Sequence, residues 1–151
     1  MNDYWSGKTA LITGATHGIG LRLAERLSVK GVKISTIYRN NDDQANNLKK
    51  IIENNGSESY IIKGDILDKN NIKTLIDGTV NEWKRIDFLI NNIGIDIIKE
   101  IYDLSEEEWI MSQEIMLSVS FRIIKLCLPN CSIERAAVTR QIWRNALYKS
   151  S

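Results

Sequence analysis

Three glycines stand close together near the start of the chain, in Thr13-Gly14-Ala15-Thr16-His17-Gly18-Ile19-Gly20. An apolar run from Lys8 to Thr13 precedes them, and a helical spacing of apolar residues from Ile19 to Val29 follows. A turn of this kind between a buried strand and a helix suits phosphate binding, because free backbone N–H groups and the positive end of the helix dipole converge there. Side chains would block the approach of a pyrophosphate, so glycine is needed. Gly14 permits the tight turn, Gly18 lets the backbone come near the phosphates, and Gly20 lets the helix pack close to the strand. Thr16, His17 and Ile19 complete the candidate turn. The widespread dinucleotide fingerprint is G-x-G-x-x-G, whereas the spacing here is G-x-x-x-G-x-G. The placement between strand and helix therefore carries more weight than the triplet itself. A glycine-rich connection without a ligand is the alternative.

Other chemistries find little support. His17 is the one histidine in 151 residues. Cys127 and Cys131 have no histidine near them in sequence and read as reduced thiols rather than a metal pair. Zinc chemistry and serine hydrolysis are disfavoured for the same reason. The 20 basic and 19 acidic residues leave a net charge of +1, which calls for neither nucleic acid nor a membrane surface as partner. The apolar runs are too short to cross a bilayer. The N-terminus, Met1-Asn2-Asp3-Tyr4-Trp5, has neither a basic region nor an apolar one, so the expected location is cytoplasmic.

The elements that would position the turn alternate in type. Lys8–Thr13, Val32–Tyr38, Ser59–Ile62 and Ile86–Ile90 read as strands. Ile19–Val29, Asp42–Asn54 and Asn70–Trp83 carry apolar residues at helical spacing. Gly31 ends the first of these helices. Ser105, followed by three glutamates, predicts the cap of a further helix running to about Leu128 and stopping at Pro129. Strands separated by such helices require a parallel sheet with right-handed crossovers. The expected fold is α/β, a Rossmann-like doubly wound sheet of about four strands. From Asn130 the pattern changes. Ile133, Ala136, Ile142, Trp143 and Leu147 suggest one more helix, made basic by Arg135, Arg140, Arg144 and Lys149. A solvated face explains these charges better than an acidic partner. The division is thus a nucleotide-binding part over residues 1–129 and a divergent helical tail over 130–151.

With these elements in place, the chain resembles the short-chain dehydrogenase/reductase family over about residues 5 to 129. Thr13-Gly14-x-x-x-Gly18-Ile19-Gly20 is similar to the family's TGxxxGIG cofactor motif. Asp65, followed by Ile66, comes after the third strand, where the family places an acid that bonds the adenine. Asn91-Asn92-Ile93-Gly94 is similar to the NNAG motif, with Ile93 for alanine. The resemblance implies that Asn91, Asn92 and Gly94 support the sheet beside the cofactor. It also implies an oxidoreductase exchanging hydride between nicotinamide and a carbonyl or alcohol, akin to 3-oxoacyl-carrier-protein reductases.

The choice of cofactor has a physical basis. An acid at the end of the second strand would bond the ribose 2′-OH and repel a 2′-phosphate. That strand ends Ile37-Tyr38-Arg39-Asn40, without an acid. The guanidinium of Arg39 suits a 2′-phosphate, and family members using NADPH often carry a basic residue at the position of His17. NADP(H) is therefore favoured over NAD(H). Arg39 as a plain solvated loop residue is the alternative.

The catalytic side chains of the family are not matched. The frame set by Trp109, Phe121 and Pro129 puts Met116 where an asparagine belongs, and methionine cannot hold a relay water. The serine, tyrosine and lysine that follow in the family have no counterpart here. Tyr148 and Lys149 are adjacent, Ser150-Ser151 follow no apolar run, and the one Tyr-x-x-x-Lys spacing, Tyr4 with Lys8, precedes the first strand. The expectation is a chain cut short near Asn130 by truncation or frameshift, leaving the fourth strand as an apolar edge. Three readings stay open: an oxidoreductase by descent that is inactive alone and acts on a small substrate only if completed, a binding-only dinucleotide module, and a remnant without function. Substrate and oligomeric state, a homo-oligomer included, are not set by the sequence.

Overall fold

The computed structural model describes residues 4–130. The expected basic helix after Asn130, Cys131, and the residues 148–151 lie outside them.

Four parallel strands form one sheet: β1 (Thr9–Ile12), β2 (Lys33–Tyr38), β3 (Ser59–Lys63) and β4 (Phe88–Ile90), in the order β3-β2-β1-β4. Between them run α1 (Gly18–Ser28), α2 (Asp42–Asn54) and α3 (Lys69–Trp83). Alternation along the central strand assigns the two faces of the sheet. Leu11 points into a cluster with Ile72, Leu75, Ile76, Ile86 and Ile123. Its neighbours Ala10 and Ile12 join Ala24, Leu27, Ile34, Leu48 and Ile52 on the opposite face. Helices α1 and α2 therefore cover one side and α3 the other, which makes the sheet doubly wound as the sequence predicts. All four residues of β1 are buried, the signature of a parallel strand covered on both faces.

Local chemistry sets the helix boundaries. Asn41 caps α2, its Oδ1 accepting from the Gln44 N–H at 3.0 Å. Asp68 caps α3 in the same way through Asn70. Ser105 and Glu108 form the reciprocal capping box that opens α4 (Glu106–Gln113).

Two predicted elements differ in detail. The fourth strand begins at Phe88 rather than Ile86, and the fully buried Ile86 belongs to the core ahead of it. The predicted continuous helix from Ser105 to Leu128 is broken. A wide π-helical turn, Glu114–Ser118, separates α4 from α5 (Val119–Cys127), and a 3₁₀ turn, Leu128–Asn130, follows. One extra residue in such a turn shifts the stripe that faces the core. Helix α4 consequently buries no residue, whereas α5 buries Val119, Ser120, Ile123 and Cys127. Among the described residues β4 is an edge of the sheet. Trp5 packs on Phe88 there, with ring centroids 5.4 Å apart.

Candidate functional site

The glycine turn is held from beneath by the segment that follows β4. Thr13 extends the pairing of β1 with β4 through its N–H to the Ile90 carbonyl, at 3.0 Å. Its Oγ1 accepts from the backbone N–H groups of Asn92, at 2.9 Å, and Ile93, at 3.1 Å. The Asn92 amide donates to the carbonyls of Thr13 and Gly14, at 3.2 and 3.1 Å. Gly14 and Gly18 both take left-handed backbone, with φ of 68° and 56°. At Gly20 a β-carbon would lie 2.2 Å from the Gly14 carbonyl oxygen and 2.6 Å from the Asn92 amide nitrogen. Gly20 thus meets the turn and its asparagine clamp, which is how the helix comes close to the strand end.

This arrangement leaves the start of α1 ready for an anion. His17 sits at the N-cap with extended backbone and makes no side-chain cap, and the first turn holds no acid. The first N–H groups of a helix have no intrahelical acceptor, and the dipole adds positive potential at the same place.

A cleft of about 300 Å³ opens beside the turn, at the carboxyl ends of the strands. This is where doubly wound sheets bind ligands. Each wall comes from one loop: Gly14, Thr16 and His17 after β1; Tyr38, Arg39, Asn41 and Gln44 after β2; Gly64 to Leu67 after β3; and Ile93 to Ile95 after β4. Of the residues singled out by sequence, the structure brings Gly14, Thr16, His17, Arg39, Asp65, Ile66 and Gly94 into these walls. Gly18, Ile19, Gly20, Asn91 and Asn92 are not in them. Gly20 and Asn92 act by shaping the turn, and Ile19 is largely exposed. Asn91 is buried at the end of β4, and neither of its amide atoms has a hydrogen-bond partner among the described residues. The residues fit a dinucleotide. A β-carbon at Gly94 would meet only open space, so the cleft comes right to that backbone.

Sequence reasoning missed Tyr38, Asn41, Gln44, Leu67, Ile93, Ile95 and Ile115 as lining residues. Ile115 comes from the π turn and is buried in the wall, one residue before the Met116 that the sequence frame singles out. The Met116 carbonyl accepts from the Ser120 hydroxyl at 3.2 Å.

Charges near the cleft are arranged in two pairs. Arg39 Nη1 lies 3.9 Å from Asp65 Oδ2, while Asp65 Oδ1 accepts from the Leu67 N–H at 2.9 Å. Two acids, Asp42 and Asp43, open α2. The Asp42 carboxylate takes Lys63 Nζ at 2.9 and 3.0 Å and the Tyr38 hydroxyl at 2.9 Å. Hydrogen bonds from Lys63 and then Tyr38 hold the Asp42 carboxyl below its ordinary pKa, and the same carboxylate raises those of Tyr38 and Lys63.

Tyr4 and Lys8 meet at the other end of the sheet, with Lys8 Nζ 3.6 Å from the Tyr4 ring centroid, ahead of β1. No group of three metal-ligating side chains occurs among the described residues. None of their helices is long and apolar enough to cross a membrane.

The comparisons with known proteins agree with this geometry. The profile of the family described as short chain dehydrogenase matches residues 8–138, beyond the point near residue 129 where the sequence resemblance was expected to lapse. YtkK of Bacillus subtilis (strain 168), which carries a provisional oxidoreductase name, is 32% identical over 122 residues, 80% of this chain and 48% of its own. The 3-oxoacyl-[acyl-carrier-protein] reductase FabG of Staphylococcus aureus (strain Mu50) is 28% identical over 129 residues, 85% of this chain and 52% of its own. The chain thus spans about half the length of the curated relatives it matches. Solved structures share the fold. A short chain dehydrogenase from Burkholderia cenocepacia in complex with NADP superposes with a TM-score of 0.79 at 24% identity, over 84% of this chain and 52% of that one. An NADH-dependent reductase complexed with NAD gives 0.76 at 22% identity, over 86% and 54%.

Proposed function

The chain belongs to the short-chain dehydrogenase family, and we propose that its described residues form a dinucleotide site that takes NADP(H) in preference to NAD(H). The observation that carries this reading is the cleft itself, which joins an uncapped helix start at His17 to a basic side chain, Arg39, at the end of β2. The pyrophosphate belongs at Gly14–Gly20 and the adenosine between Arg39 and Asp65. No acid ends β2 to bond a ribose 2′-OH, whereas the planar guanidinium of Arg39 matches a 2′-phosphate. Among fold neighbours one holds NADP and another NAD, so the preference rests on this chain's own residues.

When bound, the nicotinamide supplies hydride for reduction of a carbonyl or oxidation of an alcohol. The name of the Staphylococcus aureus relative, 3-oxoacyl-[acyl-carrier-protein] reductase, supports a carbonyl reduction of that kind for the whole protein. The chain's own residues bind and orient the dinucleotide. No tyrosine and lysine in the described cleft pair for proton transfer, and Met116 replaces the expected asparagine, so these 151 residues are expected to bind cofactor without turnover. Isothermal titration of the protein with NADPH and with NADH tests the reading. Saturable binding of both, tighter for NADPH, is expected; absence of binding to either overturns it. A screen of carbonyl compounds with NADPH tests the lack of turnover, and steady oxidation of the cofactor contradicts it.

A further inference from the structure

The acids at the start of α2 pose a problem for any 2′-phosphate held by Arg39. Asn41, the residue just before Asp42, lines the cleft together with Arg39 and Gln44. A carboxylate in the first helical turn adds negative charge near the place where a phosphate dianion would sit, and it spends part of the favourable helix dipole on itself. The structure shows how this charge is answered. Tyr38 and Lys63 are directly paired across β2 and β3, the last register positions of the two strands. Both reach the same carboxylate. Lys63 Nζ bridges its two oxygens at 2.9 and 3.0 Å, and the Tyr38 hydroxyl donates at 2.9 Å. Asp42 itself is not in the cleft wall. Its charge is drawn toward β3, on a lysine that does not line the cleft either.

We propose that Lys63 is a specificity-determining residue that acts at a distance: by clamping Asp42 it makes the Arg39 end of the cleft acceptable to a 2′-phosphate. The inference rests on the cofactor reading above, but it assigns the preference to a residue that touches no cofactor. Lys63 is a positioning and charge-compensating group, and its removal affects only a ligand bearing the extra phosphate. NADH binding is its internal control.

The test is titration of the whole chain and its K63M, K63R and K63M/D42N variants with NADPH and with NADH at low ionic strength. The Lys63 side chain is 56% exposed, so these substitutions are compatible with folding, and circular dichroism verifies it. K63M is expected to weaken NADPH roughly threefold, in the range of an exposed ion pair, and to leave NADH unchanged. K63R is expected to keep the wild-type ratio of the two affinities. K63M/D42N is expected to restore it, because the uncompensated charge is gone. The K63M effect should shrink in high salt, since both charges are solvent-exposed. An unchanged NADPH/NADH ratio in K63M, or an equal loss of both cofactors, overturns the proposal while leaving the cofactor site intact. A wild-type chain that binds neither dinucleotide overturns the site reading and the proposal together.

Discussion

Gly20 and Gly14 approach so closely that a β-carbon on the first would lie 2.2 Å from the carbonyl oxygen of the second. The contact joins the first turn of α1 to the end of β1, and Asn92 completes it from the segment after β4. A methyl group at Gly20 has backbone rather than a flexible side chain in its way, so the turn itself must move. Gly20→Ala is therefore expected to lower stability by about 1 to 3 kcal/mol, as overpacking does. It is also expected to weaken NADPH and NADH alike, because both share the pyrophosphate. Denaturant unfolding together with titration of both cofactors checks this. Loss of one cofactor only would place the pyrophosphate elsewhere.

Arg39 makes the opposite prediction. A hydrogen bond to a charged group contributes about 1.5 to 3 kcal/mol. Arg39→Ala is expected to weaken NADPH by roughly ten- to a hundredfold, the same range expressed as affinity, with little change for NADH. In the free protein the Arg39 partner is Asp65 at 3.9 Å, and both side chains are well exposed, so stability should hardly move. Parallel titrations and a thermal melt check both halves.

Asp87 fixes the acid limit of the sheet. Its carboxylate accepts from the Thr9 N–H at 2.9 Å and from Arg85, with only 6% of the side chain exposed. Burial pushes its pKa up, but Arg85 and the Thr9 N–H together outweigh burial, and the net direction is down. A carboxyl lowered in the folded state adds stability that is fully present above its unfolded value and lost as pH falls through its folded value. Asp87→Asn is expected to cost about 1 to 3 kcal/mol at neutral pH, with the deficit shrinking once pH falls below the ordinary carboxylate range. Urea unfolding as a function of pH reads this directly. A deficit that stays constant down to strongly acidic pH would contradict it.

Ile123 tests the path by which α5 holds the sheet. It is fully buried against the cluster that contains Leu11, Ile72 and Ile76. Ile123→Ala is expected to cost about 2 to 5 kcal/mol without altering the NADPH/NADH ratio in whatever fraction remains folded. Equilibrium unfolding and titration of the folded variant check the two statements.

Much of the fold was readable because a parallel sheet writes itself as short apolar runs. Thr9–Ile12 is buried on every residue, and the run Lys8–Thr13 shows it. The turn glycines and Asn92 were readable because few residue types tolerate their positions. The break in the long helix was not. A π turn adds one residue to a pattern whose apolar positions, Ile115, Val119 and Ile123, still follow helical spacing. The outer wall of the cleft was equally hidden. Asn41 and Gln44 read as a cap and a polar helix residue, and nothing local ties Asp42 to Lys63, which lie 21 positions apart. That contact exists only because β2 and β3 are neighbours in register.

The central claim is that the glycine turn, Arg39 and Asp65 enclose a dinucleotide, and its most direct test is the melting temperature of the 151-residue protein with increasing NADPH and NADH. Ligand at a hundred times its Kd stabilises a folded protein by about 2.7 kcal/mol. The expected result is a saturable rise in melting temperature with both cofactors, reached at lower concentration with NADPH. A cooperative melt that neither cofactor shifts would contradict the claim.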